Sequence, residues 1–244
     1  MRIDWRHLIK ANGNIKLGNS IGTISKLAGN GYHMVYDDKP EPEKVQGSCG
    51  EFCTECGNRK GCYVFKSYRY GSVIKSHART TEAFRQDIGR AFIEMDEQLN
   101  RKHKPFKVVR INQSGELESE SELLWYMWLA RRHKETKFFF YTKAFKFLFS
   151  ALDIIQEKGI PENMTILVSI WHEYGIQEYE KLKDIPGIKA FVYMDNFDYQ
   201  HYGIKPETFC PAYDESGKMD HNMTCDKCRK CFDRKCKIIG TYPH

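Results

Sequence analysis

Apolar residues in the middle of the chain follow two alternating patterns. Apolar positions three or four residues apart predict helices, and short runs of consecutive apolar and aromatic residues predict buried strands. Four such runs occupy residues 106–111, 137–142, 164–170 and 189–194. Strands that alternate with helices in this way are typical of the βα units that build a parallel sheet.

The predicted helices lie around and between these strands. Serine and threonine residues mark their starts, and glycine and proline mark their ends. Their predicted limits are Thr80 or Thr81 to about Leu99, Ser119 or Ser121 onward, Phe145 to a C-cap at Gly159, and Gln177 to Lys183. We therefore predict an α/β fold, either an open parallel sheet or a partial (β/α) barrel.

The two ends of the chain differ from this core. Residues 11–48 are rich in Asn, Gly and Ser, with short β-like pieces that predict a β-rich lead-in. We divide the chain into a β-rich N-terminal segment with a cysteine loop (1–79), a βα-repeat core (80–205) and a cysteine-rich basic tail (206–244). We expect the three segments to form one integrated domain.

Composition sets the class of protein. At 244 residues, with 41% hydrophobic and 14% aromatic residues, the chain is long enough to bury a core without a metal ion. Its first residues are polar and charged, and it has no run of about 18 apolar residues that could span a membrane. These features predict a soluble, cytoplasmic protein without a membrane anchor.

Nine cysteines lie in two groups, and these are the clearest candidates for chemistry. They are Cys49, Cys53, Cys56 and Cys62 near the front, and Cys210, Cys225, Cys228, Cys231 and Cys236 in the tail. In a reducing cytosol, closely spaced thiols favour metal ligation over disulfides. A thiol-redox pair fits poorly, because such C-x2-C pairs lack further cysteines at the same spacing.

Four thiolates suit either zinc or an iron–sulfur cluster. The spacing of Cys225, Cys228 and Cys231 resembles that of ferredoxin-type loops, which favours one or two [4Fe–4S] clusters and leaves zinc as the alternative. Two sets of four ligands leave one cysteine over, either Cys62 or Cys236. The predicted ligands are Cys49, Cys53, Cys56, Cys62, Cys210, Cys225, Cys228 and Cys231.

Polar residues follow each predicted strand. Because the carboxyl ends of parallel strands share one edge of a sheet, we expect these residues to converge there, although each of them alone is also an ordinary turn or cap residue. The predicted catalytic candidates are Glu116, Lys143 and His172. The predicted cofactor-binding residues are Arg110, Asn112, Ser114, Gly115 and Glu116. The remaining strand-end candidates are Gln113, Tyr141, Thr142, Ser169, Glu173, Asp195 and Asn196.

Positive charge is concentrated in the tail. The chain carries a formal net charge of +6, and residues 225–237 contain six lysines and arginines against two aspartates. Such a patch predicts contact with nucleic acid or another anionic partner, with a solvated surface as the alternative. The pattern leaves the oligomeric state open.

Several strings together resemble the gene product 88 family of bacteriophages and mobile elements. These strings are Lys16-Leu-Gly-Asn19, Cys62-Tyr63, VRINQSGE at 109–116, FFYTK at 139–143, Cys210-Pro211 and TCDKCRKCF at 224–232. The resemblance spans roughly residues 14–232 and implies expression in the cytoplasm of a bacterial host. This chain has Glu116 where the family tends to carry aspartate, and its front cysteines are spaced differently.

The chain also resembles, more weakly, the radical S-adenosylmethionine enzymes. In those enzymes a C-x3-C-x2-C loop precedes a partial barrel, as Cys49, Cys53 and Cys56 precede the core here. The resemblance implies an open iron that binds S-adenosylmethionine, with Glu116 contacting its amino group. Two departures are Glu55 in place of an aromatic residue and the roughly 50 residues between Cys56 and the first core strand.

Overall fold

A computed structural model describes residues 1, 3–11, 21–36, 41–52, 62, 64–101, 106–171, 173–194, 198–216, 218, 220 and 222–242. Its strands are β1 (Lys10–Ala11), β2 (Ile21–Thr23), β3 (Tyr32–Val35), β4 (Glu43–Gln46), β5 (Val108–Ile111), β6 (Lys137–Thr142), β7 (Met164–Ile170), β8 (Ile188–Tyr193), β9 (Thr208–Phe209) and β10 (Ile238–Thr241). Its helices are α1 (Val64–Ser67), α2 (Gly71–Gln86), α3 (Ile88–Leu99), α4 (Glu120–Arg132), α5 (Phe145–Ser150), α6 (Leu152–Lys158), α7 (Glu173–Glu180) and α8 (Cys225–Cys228), with a 3-10 turn at Trp5–His7.

Eight strands form one open sheet in the order β1-β2-β5-β6-β7-β8-β10-β9. All neighbouring pairs are parallel except β1 and β2, which are antiparallel. The predicted α/β fold with an open parallel sheet is therefore confirmed, and β1 and β9 form its edges rather than closing a barrel. β3 and β4 pair separately as a two-stranded hairpin.

From β2 to β8 the strand order in the sheet follows the order in the chain. Because parallel crossovers are right-handed, successive connections that step in the same direction place their helices on the same face of the sheet. Alternate strand residues such as Val109, Phe138 and Ile166 belong to the main core, together with residues of α3 and α4. Helices thus cover one face of the parallel sheet.

The tail covers part of the other face. Val108, Phe139 and Leu167 are offset by one residue from the helix-facing set, and they pack with Cys231 and Phe232 of the tail. The rings of Phe139 and Phe232 lie 5.4 Å apart between centroids. The strands are therefore buried on both faces at these positions, which explains why their sequences are almost continuously apolar.

The predicted helix from Thr80 or Thr81 to Leu99 is wrong in its start and in its continuity. Both threonines lie inside α2, where the Thr81 hydroxyl donates to the His77 carbonyl oxygen at 3.0 Å. Asp87 then breaks the helix with extended backbone angles, φ −159° and ψ 92°, and its carboxylate accepts a hydrogen bond from the Arg90 backbone N–H as the N-cap of α3.

Several other predicted boundaries agree with the structure, but the helix predicted at Gln177–Lys183 is α7 at Glu173–Glu180, which starts four residues earlier. Ser119 is the N-cap of α4 and accepts from the Glu122 backbone N–H at 3.1 Å. Gly159 is the C-cap of α6 at φ 67°, although Ala151 divides the predicted helix into α5 and α6. The four predicted strands correspond to β5 through β8, within two residues at each end.

The eight-stranded sheet takes strands from all three predicted segments: β1 and β2 from the first, β5 to β8 from the core, and β9 and β10 from the tail. Among the residues that the structure describes, none of the helices has the length and apolar character needed to cross a membrane.

Candidate cysteine-lined cavity

A cavity of about 260 Å³ lies at the carboxyl ends of the parallel strands. Residues from the ends of β5, β6, β7 and β8 line it, including Arg110, Asn112, Lys143 and Ser169. Cysteines from both ends of the chain reach the same cavity. The described ones are Cys49, Cys62, Cys210, Cys225, Cys228 and Cys231.

Most of the predicted site residues that are described therefore meet at one place. Ser114, Gly115 and Glu116 also line the cavity. His172, Asp195 and Asn196 lie outside the described residues, as do Cys53 and Cys56.

One helical turn and one left-handed residue arrange the tail cysteines. Thr224 caps the short helix α8, whose ends are Cys225 and Cys228, so these two side chains lie on the same side of the turn. Arg229 follows with φ 61°, and its backbone N–H donates to the Cys225 carbonyl oxygen at 2.8 Å. This reversal of the chain returns Cys231 to the sheet, where it is buried.

Cys210 approaches the same turn from the sheet edge. It follows β9, and its backbone N–H donates to the Gly240 carbonyl oxygen at 2.7 Å. Cys236 packs beside the cluster of Phe139 and Ile239. Four of the five tail cysteines therefore line the cavity: Cys210, Cys225, Cys228 and Cys231. The fifth, Cys236, packs against the apolar cluster instead.

The tail thiols lie close enough to influence one another electrostatically. The pKa of Cys231 is raised to about 12, mainly by burial; a hydrogen bond from Tyr141 opposes this rise, and negative charge on Cys225, Cys210 and Cys228 contributes to it. The Tyr141 hydroxyl donates to the Cys231 Sγ at 2.9 Å. A buried donor of this kind stabilises a thiolate, which is the form that binds metal.

Two front cysteines lie near the loop after β5. The Gly29 backbone N–H donates to the Cys49 Sγ at 3.2 Å. The pKa of Tyr68 is raised to about 12, mainly by burial, and negative charge on Cys49 and Cys62 contributes a smaller part of this rise. The Tyr68 hydroxyl oxygen lies 3.4 Å from Ser114 Oγ, so the front group reaches the strand-end loop.

Among the residues that the structure describes, no two cysteines are joined by a disulfide bond. Across the described part of the chain, no three His, Cys, Asp or Glu side chains stand in a ready-made arrangement around one ion. A bound metal would therefore have to draw the thiols together and displace their protons.

Glu116 has a structural role within the cavity wall. Its Oε1 accepts hydrogen bonds from the Leu117 backbone N–H at 2.8 Å and from Thr142 Oγ1 at 2.7 Å. Its Oε2 accepts from the Lys143 backbone N–H at 2.9 Å. These contacts join the loops after β5 and β6. They engage both oxygens of the carboxylate that the resemblance to radical S-adenosylmethionine enzymes assigns to the amino group of S-adenosylmethionine.

Gly115 allows that loop to pack tightly. It has φ +83°, and a Cβ at this position would lie 2.3 Å from Ser48 Oγ and 2.8 Å from Lys26 Cβ. Lys26 is itself buried and donates to both carboxylate oxygens of Glu122 at 2.8 Å. The glycine is therefore required both for its backbone angle and for the close approach of the lead-in segment.

Asn112 is the most unusual side chain in the cavity wall. It is only 4% exposed and has φ 47°, a left-handed conformation that asparagine tolerates better than most residues. Neither its Oδ1 nor its Nδ2 has a hydrogen-bond partner among the described residues. Leaving a buried polar group unpaired costs about 1–3 kcal/mol, so a native protein keeps such a group for a reason.

Aromatic rings form another part of the wall, and of these Tyr141 alone was among the candidates predicted from the sequence. Trp171 and Tyr193, at the ends of β7 and β8, stack with 4.3 Å between centroids and 6° between planes. The Lys143 Nζ lies 4.8 Å from the centre of the Trp171 ring. Phe191 contacts Tyr141 edge-on at 4.7 Å. The signal was available, because each of these residues stands in or directly after a predicted strand.

Part of the tail's positive charge serves the fold. The Arg234 Nη2 donates to the carbonyl oxygens of Pro161 at 2.6 Å and Met164 at 2.7 Å. The Lys230 Nζ donates to the Phe209 carbonyl oxygen at 3.1 Å. These cations bind backbone oxygens of the sheet and its loops, so they fasten the tail to the rest of the molecule.

The sequence profile of the gene product 88 family matches residues 7–234. No curated protein and no solved structure matches the chain. The comparisons do not support the resemblance to radical S-adenosylmethionine enzymes. The matched region contains all of the parallel core from β5 to β8 and the six cysteines of the cavity. The chain therefore belongs to the gene product 88 family, in agreement with the phage or mobile-element origin that its sequence strings predict.

Proposed function

We propose that this protein is an iron–sulfur protein of a phage or mobile element, with one or two [4Fe–4S] clusters in the strand-end cavity and a role in redox chemistry. The observation that carries the proposal is that cysteines from opposite ends of the chain line one cavity. Packing alone does not require so many thiols at one place, since a cysteine packs as an ordinary small apolar residue.

Cys210, Cys225, Cys228 and Cys231 are the proposed ligands of the tail cluster. Their spacing and the helical turn of α8 support this assignment, and so does the hydrogen bond from Tyr141 to Cys231. Positive charge nearby favours the thiolate form that a cluster needs. Burial raises the pKa of Cys228, and the backbone hydrogen bond and positive charge of Lys230 oppose this rise.

Cys49, Cys53, Cys56 and Cys62 are the proposed ligands of the front cluster. Cys49 and Cys62 line the cavity, and the sequence spacing brings in the other two. If Cys62 completes this set, the cluster has four protein ligands, and if Cys62 is spare, one iron is open to a small molecule. A C62S variant separates these arrangements, because it lowers the iron content only when Cys62 is a ligand.

The first test is anaerobic purification followed by analysis of iron, zinc and acid-labile sulfide and by a visible spectrum. Two clusters require about eight iron and eight sulfide per chain and broad absorbance near 400 nm. About one or two zinc ions per chain without sulfide or colour would overturn the proposal. That result would favour a zinc-binding protein that contacts nucleic acid through its basic tail, which is tested by salt-dependent binding.

Paired cysteine variants test the tail assignment. We expect C231S to lose about half of the iron and sulfide, since a cubane that lacks one of its four thiolate ligands is held weakly. C236S is the matched control, because it changes a tail cysteine that the proposal leaves unligated. Equal iron content in C231S and C236S would contradict the assignment.

A further inference from the structure

We infer that the cavity also binds a small molecule that combines a planar nitrogen heterocycle with an anionic group, and that Asn112 recognises the edge of the ring. The inference shares only its location with the proposed metal centre. It rests on three features of the cavity wall that metal ligation does not explain: an unpaired buried amide, a stacked aromatic pair and two cationic side chains at the strand ends.

The amide of Asn112 is the main observation. Its donor and acceptor are both buried without a partner among the described residues. Asn163 shows how this fold uses a structural asparagine, because its Nδ2 donates to the carbonyl oxygens of Ala130, His133 and Thr136 within 2.9 Å. Asn112 has no comparable role and lies in the wall of a cavity.

An amide presents one donor and one acceptor side by side. The complementary partner therefore carries an acceptor and a donor on one edge, as nitrogen heterocycles such as adenine do. Both carboxylate oxygens of Glu116 already accept hydrogen bonds from other residues. Glu116 is therefore not the partner of the Asn112 amide.

Aromatic rings provide a surface for a planar ligand. Trp171 and Tyr193 line the cavity at the ends of neighbouring strands, and Lys143 approaches the Trp171 ring. Stacking of a heterocycle on an aromatic side chain is favourable for many different rings, since each of them has a π-face. The aromatic pair therefore supplies affinity, and Asn112 supplies selectivity for the edge of the ring.

Positive charge in the wall explains the anionic group. Arg110 and Lys143 lie at the ends of the neighbouring strands β5 and β6, and Arg229 reaches the cavity from the tail. Arginine and lysine bind phosphate and carboxylate groups alike. The anionic group of the ligand is therefore a phosphate or a carboxylate, and binding of probes that carry one or the other separates the two.

The test is equilibrium dialysis of the anaerobically purified protein against defined probes. AMP and GMP carry a heterocycle and a phosphate, and nicotinate carries a heterocycle and a carboxylate. Adenosine lacks the charge, and inorganic phosphate lacks the ring. We expect at least one anionic heterocycle to bind at least about tenfold more tightly than adenosine or inorganic phosphate does. Comparing the affinity for AMP or GMP with that for nicotinate shows whether the site prefers a phosphate or a carboxylate.

The N112G variant tests the role of the amide. Glycine accepts the left-handed backbone and removes both unpaired groups. We therefore expect N112G to bind the probe at least about tenfold more weakly, without a fall in the thermal unfolding midpoint. N163G is the matched control, and we expect it to lower the midpoint while the affinity stays unchanged. The inference is overturned when no probe exceeds inorganic phosphate in affinity, or when N112G binds as tightly as the unsubstituted protein. Iron and zinc analysis of the same samples shows separately whether the metal centre is present.

Discussion

At the scale of single residues, Gly115 makes the strictest demand on the sequence. Its positive φ and the nearness of Ser48 and Lys26 leave no room for a Cβ. We expect G115A to lower the free energy of unfolding by about 2–4 kcal/mol, because strain of the backbone adds to overpacking. Chemical denaturation measures this change.

Gly203 provides the control for that prediction. It has φ +74°, and a Cβ there would meet nothing within 4 Å. We expect G203A to cost only about 1 kcal/mol, the price of the left-handed conformation alone. Equal losses in G115A and G203A would show that the contact with Ser48 and Lys26 is not restrictive.

His77 gives a residue-scale prediction about pH. Burial, together with the positive charge of Lys10, lowers the pKa of His77 from 6.5 to about 4. The unfolded chain therefore binds a proton on His77 near pH 6.5, whereas the folded protein binds it only near pH 4. The contribution of neutral His77 to the free energy of unfolding is fully present above pH 6.5. It is lost as the pH falls from 6.5 to about 4, by roughly 3 kcal/mol at about 1.4 kcal/mol per pKa unit.

The measurement compares the free energy of unfolding of H77N with that of the unsubstituted protein from pH 7 to pH 4. Asparagine does not titrate, so we expect a shallower loss of stability toward acid in H77N by about the same 3 kcal/mol. Parallel curves would mean that His77 does not contribute to the pH dependence.

Residues that act locally were predictable, and residues that depend on distant contacts were not. Ser119 and Gly159 are caps, and their chemistry is decided within one helical turn. The burial of Asn112 and its unpaired amide depend on distant contacts of its loop, such as the hydrogen bond from the Gln113 backbone N–H to the Ile24 carbonyl oxygen. Its polar character and its place after a strand were visible in the sequence, but its burial was not.

At the scale of elements, the break between α2 and α3 shows where periodicity misleads. The apolar positions from Phe84 to Leu99 continue across Asp87 with helical spacing. They pack into the main core or against it at Phe84, Ile88, Phe92, Met95 and Leu99. Asp87 nevertheless leaves the helical conformation and caps α3. Periodicity reports which positions are buried, and it does not show whether the backbone between them is continuous.

The cap at Asp87 is testable. We expect D87A to lower the free energy of unfolding by about 1 kcal/mol, since alanine cannot accept the hydrogen bond from the Arg90 backbone N–H. D87N is the matched control, because asparagine is an equally good cap, and it should be nearly neutral. A loss in D87N as large as that in D87A would indicate a role for the charge rather than for the cap.

At the scale of the whole molecule, one rule about parallel sheets accounts for most of the site that the sequence predicted. The carboxyl ends of parallel strands meet at one edge of the sheet. The convergence of the loops after β5 and β6 can therefore be predicted without the tertiary structure. The sequence did not reveal that the tail lies on the sheet face opposite the helices. That arrangement depends on contacts between Phe139 and Phe232, which are 93 residues apart in the chain (232 − 139).

The way the tail is held leads to a prediction about metal removal. Within the described residues, Cys231 and Phe232 are the only buried apolar side chains that the segment 208–236 places in the cluster on this face. A cluster bound by four tail thiolates would therefore supply much of the free energy that orders this segment, as metal binding does in other small metal-dependent units. The strands β6 and β7 owe their stability to the main core and do not need the metal.

Hydrogen–deuterium exchange of the metal-loaded and chelator-treated proteins tests this difference. We expect amides in 208–236, including those of Cys210 and Arg229, to exchange about tenfold or more faster without metal, while β6 and β7 keep their protection. C231S should behave like the metal-free protein in the tail, and C236S should behave like the loaded one. If protection of the tail is the same with and without metal, then side-chain contacts such as those of Arg234 and Lys230 hold it by themselves.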